Sequence, residues 1–301
     1  VGKDALLRVL KELGHDDAVV GRLTYIGSGL TYRTVRVDVE VGGARHNLVV
    51  RVPGSDAGED QPDEALLEAE VRAAIRAQNP PFHVPKLWGF ALVEHGLAVV
   101  EEEGAGIPLD DSSFRNLVSP LDVTVQTAAQ CHALDASSVE DIIEAWPDCR
   151  EHALDLLVDL ELVGTPEARR AAEWGRANLP PTSPPRLLHG DLLGQNILVV
   201  AHPERVVTLI DWGEACVGDP AYDLACVSRG NRRLFGERKS LADLIEAYNV
   251  FAPEPVTWQR VRLYELCILG DWLAEAIDDE QDDVAEHYAR KLERAMRDGP
   301  G

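Results

Sequence analysis

Two short loops, centred on Asp191 and Asp211, constrain this chain more than any other feature. The segment LLHGDLLGQNILVV carries His189, Gly190 and Asp191, with Asn196 after four intervening residues; VTLIDWGEA then places Asp211 before Trp212 and Gly213. The β-rich runs ILVV and VVTLI flank these turn-forming residues, so the polar groups fall at strand ends, where the backbone is held while the side chains project into a shared cleft. An aspartate, an asparagine and a second aspartate in that order match what phosphoryl transfer asks of a protein. It needs a carboxylate beside the attacking hydroxyl and oxygen ligands that hold magnesium against phosphates, with catalysis by positioning rather than covalent chemistry.

The chain around these loops divides in two. Residues 23–52 alternate apolar and polar positions (Val35, Val37, Val39, Val41) and turn at Gly42-Gly43, which predicts a β-hairpin entered through IGSGL, residues 26–30. DEALLEAEVRAAIRAQ has helical composition and spacing, and after Pro80-Pro81 two short strands are expected near 86–93 and 97–100. The polar stretch EEEGAGIPLDD then leads into a region of helical patterns, expected at 122–135, 140–160, 166–178, 238–250, 257–278 and 281–297. The expected division is an N-terminal lobe over 1–104 and a C-terminal lobe over 105–301, joined by a hinge at about 101–106.

Composition narrows the partners. With 29 basic and 52 acidic residues the formal charge is −23, which repels nucleic acids and anionic membranes and would attract a polycationic small molecule. No apolar run reaches the roughly 18 residues of a membrane span, and the first residues lack the apolar core of a leader peptide, so a cytoplasmic protein is expected. The five cysteines (Cys131, Cys149, Cys216, Cys226, Cys267) are odd in number and widely spaced, the pattern of reduced thiols rather than a disulfide or zinc framework.

HGDLLGQN, IDWGEACVGDPAYDLA and the upstream hairpin together resemble the aminoglycoside phosphotransferase family, itself similar to protein kinases, over nearly the whole chain. The resemblance implies a bilobal α+β, protein-kinase-like fold: an N-terminal antiparallel sheet with one helix, and a mostly helical C-terminal lobe. It further implies that Asp191 orients the acceptor hydroxyl, that Asn196 and Asp211 hold Mg2+, and that ATP or GTP is the phosphoryl donor. Gly27, Ser28 and Gly29 would cover the nucleotide, while Glu102 and Gly104 would present backbone groups to its base. Arg51 stands where protein kinases carry a phosphate-binding lysine, with Glu70 the expected ion-pair partner and Glu68 the alternative. His189 and Asp223 are expected to support the catalytic loop structurally.

Helical spacing places Asp271, Glu275, Asp278 and Asp282 on one face, opposite Leu266, Leu269, Leu273 and Ile277, if the helix runs through. In the family, acidic C-terminal helices bind the amines of the acceptor; Asp271 and Glu275 are therefore the expected acceptor contacts, the alternative being a solvated acidic face. The reading that follows is transfer of a terminal phosphoryl group to an aminoglycoside hydroxyl, conferring resistance. The alternatives are a kinase for a macrolide, a choline-like amino alcohol or a sugar, or a nucleotide-binding pseudokinase. No obligate protein partner is implied.

Overall fold

Alternation of side chains along the first third of the chain builds an antiparallel sheet. In a computed structural model that describes residues 2–28, 32–55, 58, 60–111, 118–202, 204–229 and 240–297, strands β1 (Val19–Ser28), β2 (Tyr32–Val41), β3 (Ala44–Pro53), β4 (Leu87–Val93) and β5 (Gly96–Glu102) pair in the order β1-β2-β3-β5-β4. The β2–β3 turn is made by Gly42 and Gly43 at φ 58° and 76°, the double left-handed conformation that a tight hairpin of this hand requires. Val37, Val39, Leu48 and Val50 point to one face, and helix α1 (Lys3–Glu12) closes over them with Leu6, Val9 and Leu10. That helix was not among the elements expected, although its apolar residues recur at helical spacing.

Helix α2 (Gln61–Ala77) starts on Pro62, carries Asp63 and Glu64 in its first turn and Arg76 in its last, each sign suited to that end of the dipole. Its buried face is unusual, because Glu68 and Arg72 lie on it beside Ala65, Val71 and Ile75. Gln61, 1% exposed, fastens the start of α2 to the sheet. Its amide nitrogen donates to Tyr32 Oη at 2.6 Å and to Leu97 O at 3.1 Å, and its oxygen accepts from Leu97 N at 2.8 Å.

The chain leaves β5 at Glu102 and enters the second part at β6 (Ile107–Pro108), which joins β8 (Ile197–Val200) and β9 (Val206–Leu209) in a three-stranded sheet ordered β6-β8-β9. Helices α3 (Pro120–His132), α4 (Cys149–Leu162), α5 (Pro166–Ala177), α6 (Pro220–Arg229), α7 (Leu241–Asn249), α8 (Trp258–Asp278) and α9 (Asp282–Arg297) form the rest around one apolar core, with the pair β7 (Arg186–Leu188) and β10 (Cys216–Gly218) running through it. The fold is thus an antiparallel sheet with helices followed by a mainly helical part. None of the five cysteines forms a disulfide and all are buried, and no described helix is long and apolar enough to cross a membrane.

The helix expected over 140–160 begins only at Cys149. Residues 144–146 pair with β10 instead (Val217 N to Glu144 O, 2.8 Å; Trp146 N to Val217 O, 2.7 Å), and Asp148 then caps α4 by accepting from Arg150 N and Glu151 N. The acidic face also fails to run through. Helix α8 stops at Asp278, Glu280 turns the chain at φ 57°, and Asp282 opens a new helix, leaving Ile277 42% exposed rather than in the core.

Removing the Gln61 side chain would leave the Leu97 amide and carbonyl without their buried partner. Gln61→Ala is therefore expected to destabilise the fold by about 1–3 kcal/mol; a urea midpoint indistinguishable from that of the parent chain would contradict this fastening role.

Candidate active site

The loop after β7 is shaped by one buried carboxylate. Asp223, in the first turn of α6 and fully buried, accepts from His189 N and Gly190 N, each at 2.9 Å, and from His132 Nε2 at 3.0 Å. Burial pushes its pKa up, but the hydrogen bond and charge of His132, aided by His189, outweigh burial and hold it below the ordinary carboxylate range. His132 Nδ1 meets Tyr248 Oη at 2.7 Å, so a chain of hydrogen bonds runs from α7 through α3 to α6 and the loop. His189 also reaches Ile210 O through Nε2 at 2.9 Å, tying this loop to the one that carries Asp211.

Gly190 is dictated by this crowding. It sits at φ 79°, and a Cβ built on it would lie 1.7 Å from the backbone oxygen of Glu214. The two loops therefore touch backbone to backbone, an approach only glycine permits.

Asp191 follows directly. Asn196, buried in a short 3-10 turn (Gly194–Asn196), donates through Nδ2 to Asp191 O and to Asp191 Oδ2, both at 2.9 Å, which fixes the aspartate's side chain relative to its own backbone. With its nitrogen so engaged, Asn196 has its amide oxygen as the atom suited to a hard cation. Asp211 closes the set from the loop that follows β9, held at φ 65°, a left-handed conformation that is strained for a residue with a side chain. Trp212 behind it is buried, donates to Leu209 O at 3.3 Å, and packs against His189 and Phe82. Desolvation raises the Asp211 pKa, as does the charge of Glu68, against opposing pulls from Arg51 and His189. Asp211 thus feels side chains of both the sheet and the helical part.

Arg51, on β3, pairs with Glu68 at 2.6 Å. Glu70, the expected partner, lies exposed two residues further along α2, because the helical turn points only one of the two at the sheet. Gly27 and Ser28 are the last described residues of β1, where they pair with Thr34 and Arg33; Gly29 lies outside the described residues. At the connector, Glu102 N donates to Lys86 O at 2.9 Å, and a Cβ on Gly104 would come within 2.7 Å of Leu198 Cδ1. Glycine at 104 thus lets the connector lie against β8.

Asp271 and Glu275 lie on the exposed face of α8. The part of α8 beside the catalytic segment is its beginning, where Arg260 and Tyr264 bond Asp219. At about 1.5 Å per residue, Asp271 and Glu275 lie about 10 and 16 Å further along the helix from Tyr264; both are exposed, and Trp272 between them packs on Tyr288. The helical period could show which face is acidic, but not which end of the helix meets the catalytic loop.

Among the described residues no cluster of three or more His, Cys, Asp or Glu side chains forms a metal cage. The pair Asn196 and Asp211 nevertheless fits magnesium, which takes hard oxygen ligands and is ordinarily bound by one or two protein groups together with substrate phosphates.

Comparison with known proteins follows the same lines. The model of the phosphotransferase enzyme family matches residues 22–264. An uncharacterised protein of Bacillus subtilis (strain 168), YcbJ, is 31% identical over 219 residues, 67% of either chain. Among solved structures, the GDP complex of a mutant aminoglycoside 2'-phosphotransferase IIIa superposes with a TM-score of 0.64 at 17% identity, covering 98% of this chain and 97% of that one. A Plasmodium vivax ethanolamine kinase gives 0.62 at 14% identity, with 97% and 85% covered. Aminoglycoside phosphotransferase APH(3'')-Id from Streptomyces rimosus, in complex with ADP and streptomycin, gives 0.56 at 16% identity, with 88% and 98% covered. At these identities the structural likeness establishes a shared fold; with the family match over most of its length, the chain belongs to the phosphotransferase enzyme family, and it is a small-molecule kinase.

Proposed function

We propose that the chain binds ATP or GTP with Mg2+ between its sheet and its helical part, and transfers the terminal phosphoryl group to a hydroxyl of a cationic acceptor of the aminoglycoside class. The observation that carries this reading is the convergence of Asp191, Asn196 and Asp211 on two loops locked backbone to backbone, with Arg51 near enough to act on the charge of Asp211. In this reading residues 1–104 form the nucleotide lobe and 105–301 the catalytic lobe. Magnesium, when bound, would neutralise phosphate charge, with Asn196 and Asp211 as its protein ligands. Asp191, fixed by Asn196, receives and orients the acceptor hydroxyl; Arg51 holds phosphate oxygens; Gly27, Ser28 and Gly29 cover the nucleotide, and Glu102 and Gly104 face its base.

The cationic acceptor is supported by the net charge of −23 and by acids close to the catalytic segment. Glu144 lies beside β10, and Glu214 touches Gly190. Together with Asp223 both raise the pKa of the Cys216 thiol, whose main cause is burial. These two exposed acids are better placed to meet an amine than Asp271 and Glu275. The similarity to a protein whose complex holds ADP and streptomycin agrees with this choice, and inactivation of an antibiotic would be the outcome. A second reading, a small amino alcohol as acceptor, is favoured by the likeness to an ethanolamine kinase and rests on the same acids.

Nucleotide consumption by the purified protein with magnesium, ATP or GTP, and a panel of aminoglycosides, ethanolamine, choline, macrolides and sugars tests the proposal. Stimulation by aminoglycosides is expected; stimulation by another acceptor alone would discard the substrate, and consumption with none of them would leave the transfer reading without support. Asp191→Ala should leave nucleotide affinity nearly unchanged while turnover falls by a factor of about a hundred or more, and unimpaired turnover would remove Asp191 from the mechanism. Gly190→Ala should separate the loops and lower turnover about a hundredfold with every polar catalytic group still present. Wild-type rates in that variant would refute the role given to the backbone contact.

A further inference from the structure

Arg51 belongs to a closed ring of four charged side chains, not to a single ion pair. Glu68 uses one oxygen for each arginine, Oε2 to Arg51 Nη2 at 2.6 Å and Oε1 to Arg72 Nη1 at 3.5 Å. Glu101 does the same, with Oε1 3.4 Å from Arg51 Nε, a charge contact rather than a hydrogen bond, and Oε2 bonded to Arg72 Nη1. Arg72 is anchored in turn by Nη2, which donates to Pro85 O at 2.6 Å. The four side chains are only 5–13% exposed, and their charges sum to zero. Strand register makes the ring possible: Arg51 pairs with Val99 and Val49 with Glu101, so strand alternation turns Arg51 and Glu101 to the same face, the one α2 covers.

We infer that Glu101 and Arg72 are positioning residues for the nucleotide's phosphates, acting through Arg51, and that the ring is the reason position 51 carries arginine. This rests on the proposed nucleotide site. A lysine offers one nitrogen, which can meet one carboxylate; the guanidinium offers Nη2 to Glu68 and Nε toward Glu101, so that its plane, not only its charge, is fixed. The ring also settles how strongly the acids hold Arg51. Burial works against its charge, Glu101 and Glu68 more than compensate, and its pKa is raised. Arg72 draws on the same two carboxylates, which leaves Arg51 oriented while keeping attraction for phosphate. Without Glu101, Arg72 retains Glu68 as its one carboxylate in the ring and competes with Arg51 for it.

The test is the affinity ratio of nucleoside triphosphate to nucleoside (ATP to adenosine, GTP to guanosine), measured by calorimetry on the full chain with magnesium. That ratio reports phosphate contacts and is insensitive to a general loss of stability, which thermal midpoints follow separately. Glu101→Gln and Arg72→Lys should each lower the ratio about tenfold, the order of coupling between neighbouring charged groups in one network, while nucleoside affinity stays within about twofold. The double variant E101Q/R72M removes both charges together, leaving the net charge unchanged and a plain Arg51–Glu68 pair; its ratio should remain low. Arg51→Lys should lower the ratio as much as Glu101→Gln, and the two combined no further, because both break the same contact. A wild-type ratio in E101Q/R72M, or effects of Arg51→Lys and Glu101→Gln that multiply, would overturn the ring as a positioning device. A parent chain that binds triphosphate no better than nucleoside would instead overturn the nucleotide site itself. The two failures are separated by Arg51→Ala, which loses triphosphate preference only if that site is real.

Discussion

The fully buried carboxylate of Asp223 is the interaction on which the arrangement of the two loops in the helical part depends. An ionised group away from water must be surrounded by donors, and Asp223 finds two in the backbone of His189 and Gly190 and a third in His132. Those donors come from a loop and from α3, so satisfying the charge forces the loop into one shape and pins α6 against it. Asp191 inherits its place from that shape, and His189, bonded to Ile210 O, passes the same constraint to the loop of Asp211. Asp191 and the loop of Asp211 are placed by backbone donors and one buried anion.

The sheet part follows the same logic with opposite means. Its charged groups are largely withdrawn from water, and they satisfy one another in the ring of Arg51, Glu68, Arg72 and Glu101. Such a ring contributes less stability than an apolar core of the same volume, since four desolvated charges must first be repaid by their mutual attraction. What it does provide is a fixed orientation for the Arg51 guanidinium, and Gln61 adds a second tie between the same helix and the sheet.

The loops of Asp191 and Asp211 were legible in the sequence because their chemistry is local: each places its polar residues within a few positions of a strand end. The hairpin was legible because alternation and a Gly-Gly turn are local as well. The rest depended on contacts distant along the chain. Glu68 and Glu70 are equivalent by composition, and only the docking angle of α2 decides between them. Glu101 is one of three acids in the connector, and nothing in the sequence sets it or Arg72 apart until β5 and α2 are packed together. The start of α4 was misjudged because residues 144–146 spend their backbone groups on β10. The acidic stretch of α8 suggested acceptor contacts at Asp271 and Glu275, with a solvated face as the alternative; both residues are exposed, and their distance from Tyr264 is a matter of tertiary packing.

The contact between Gly190 and Glu214 bears on control as well as on geometry. Protein kinases carry arginine where this chain has Gly190, and in such enzymes arginine side chains can read a phosphorylated activation segment and order it. Here the backbone oxygen of Glu214 occupies the space in which a side chain at 190 would begin. No cation can be placed at that point without separating the two loops, so this route of covalent regulation is closed at position 190.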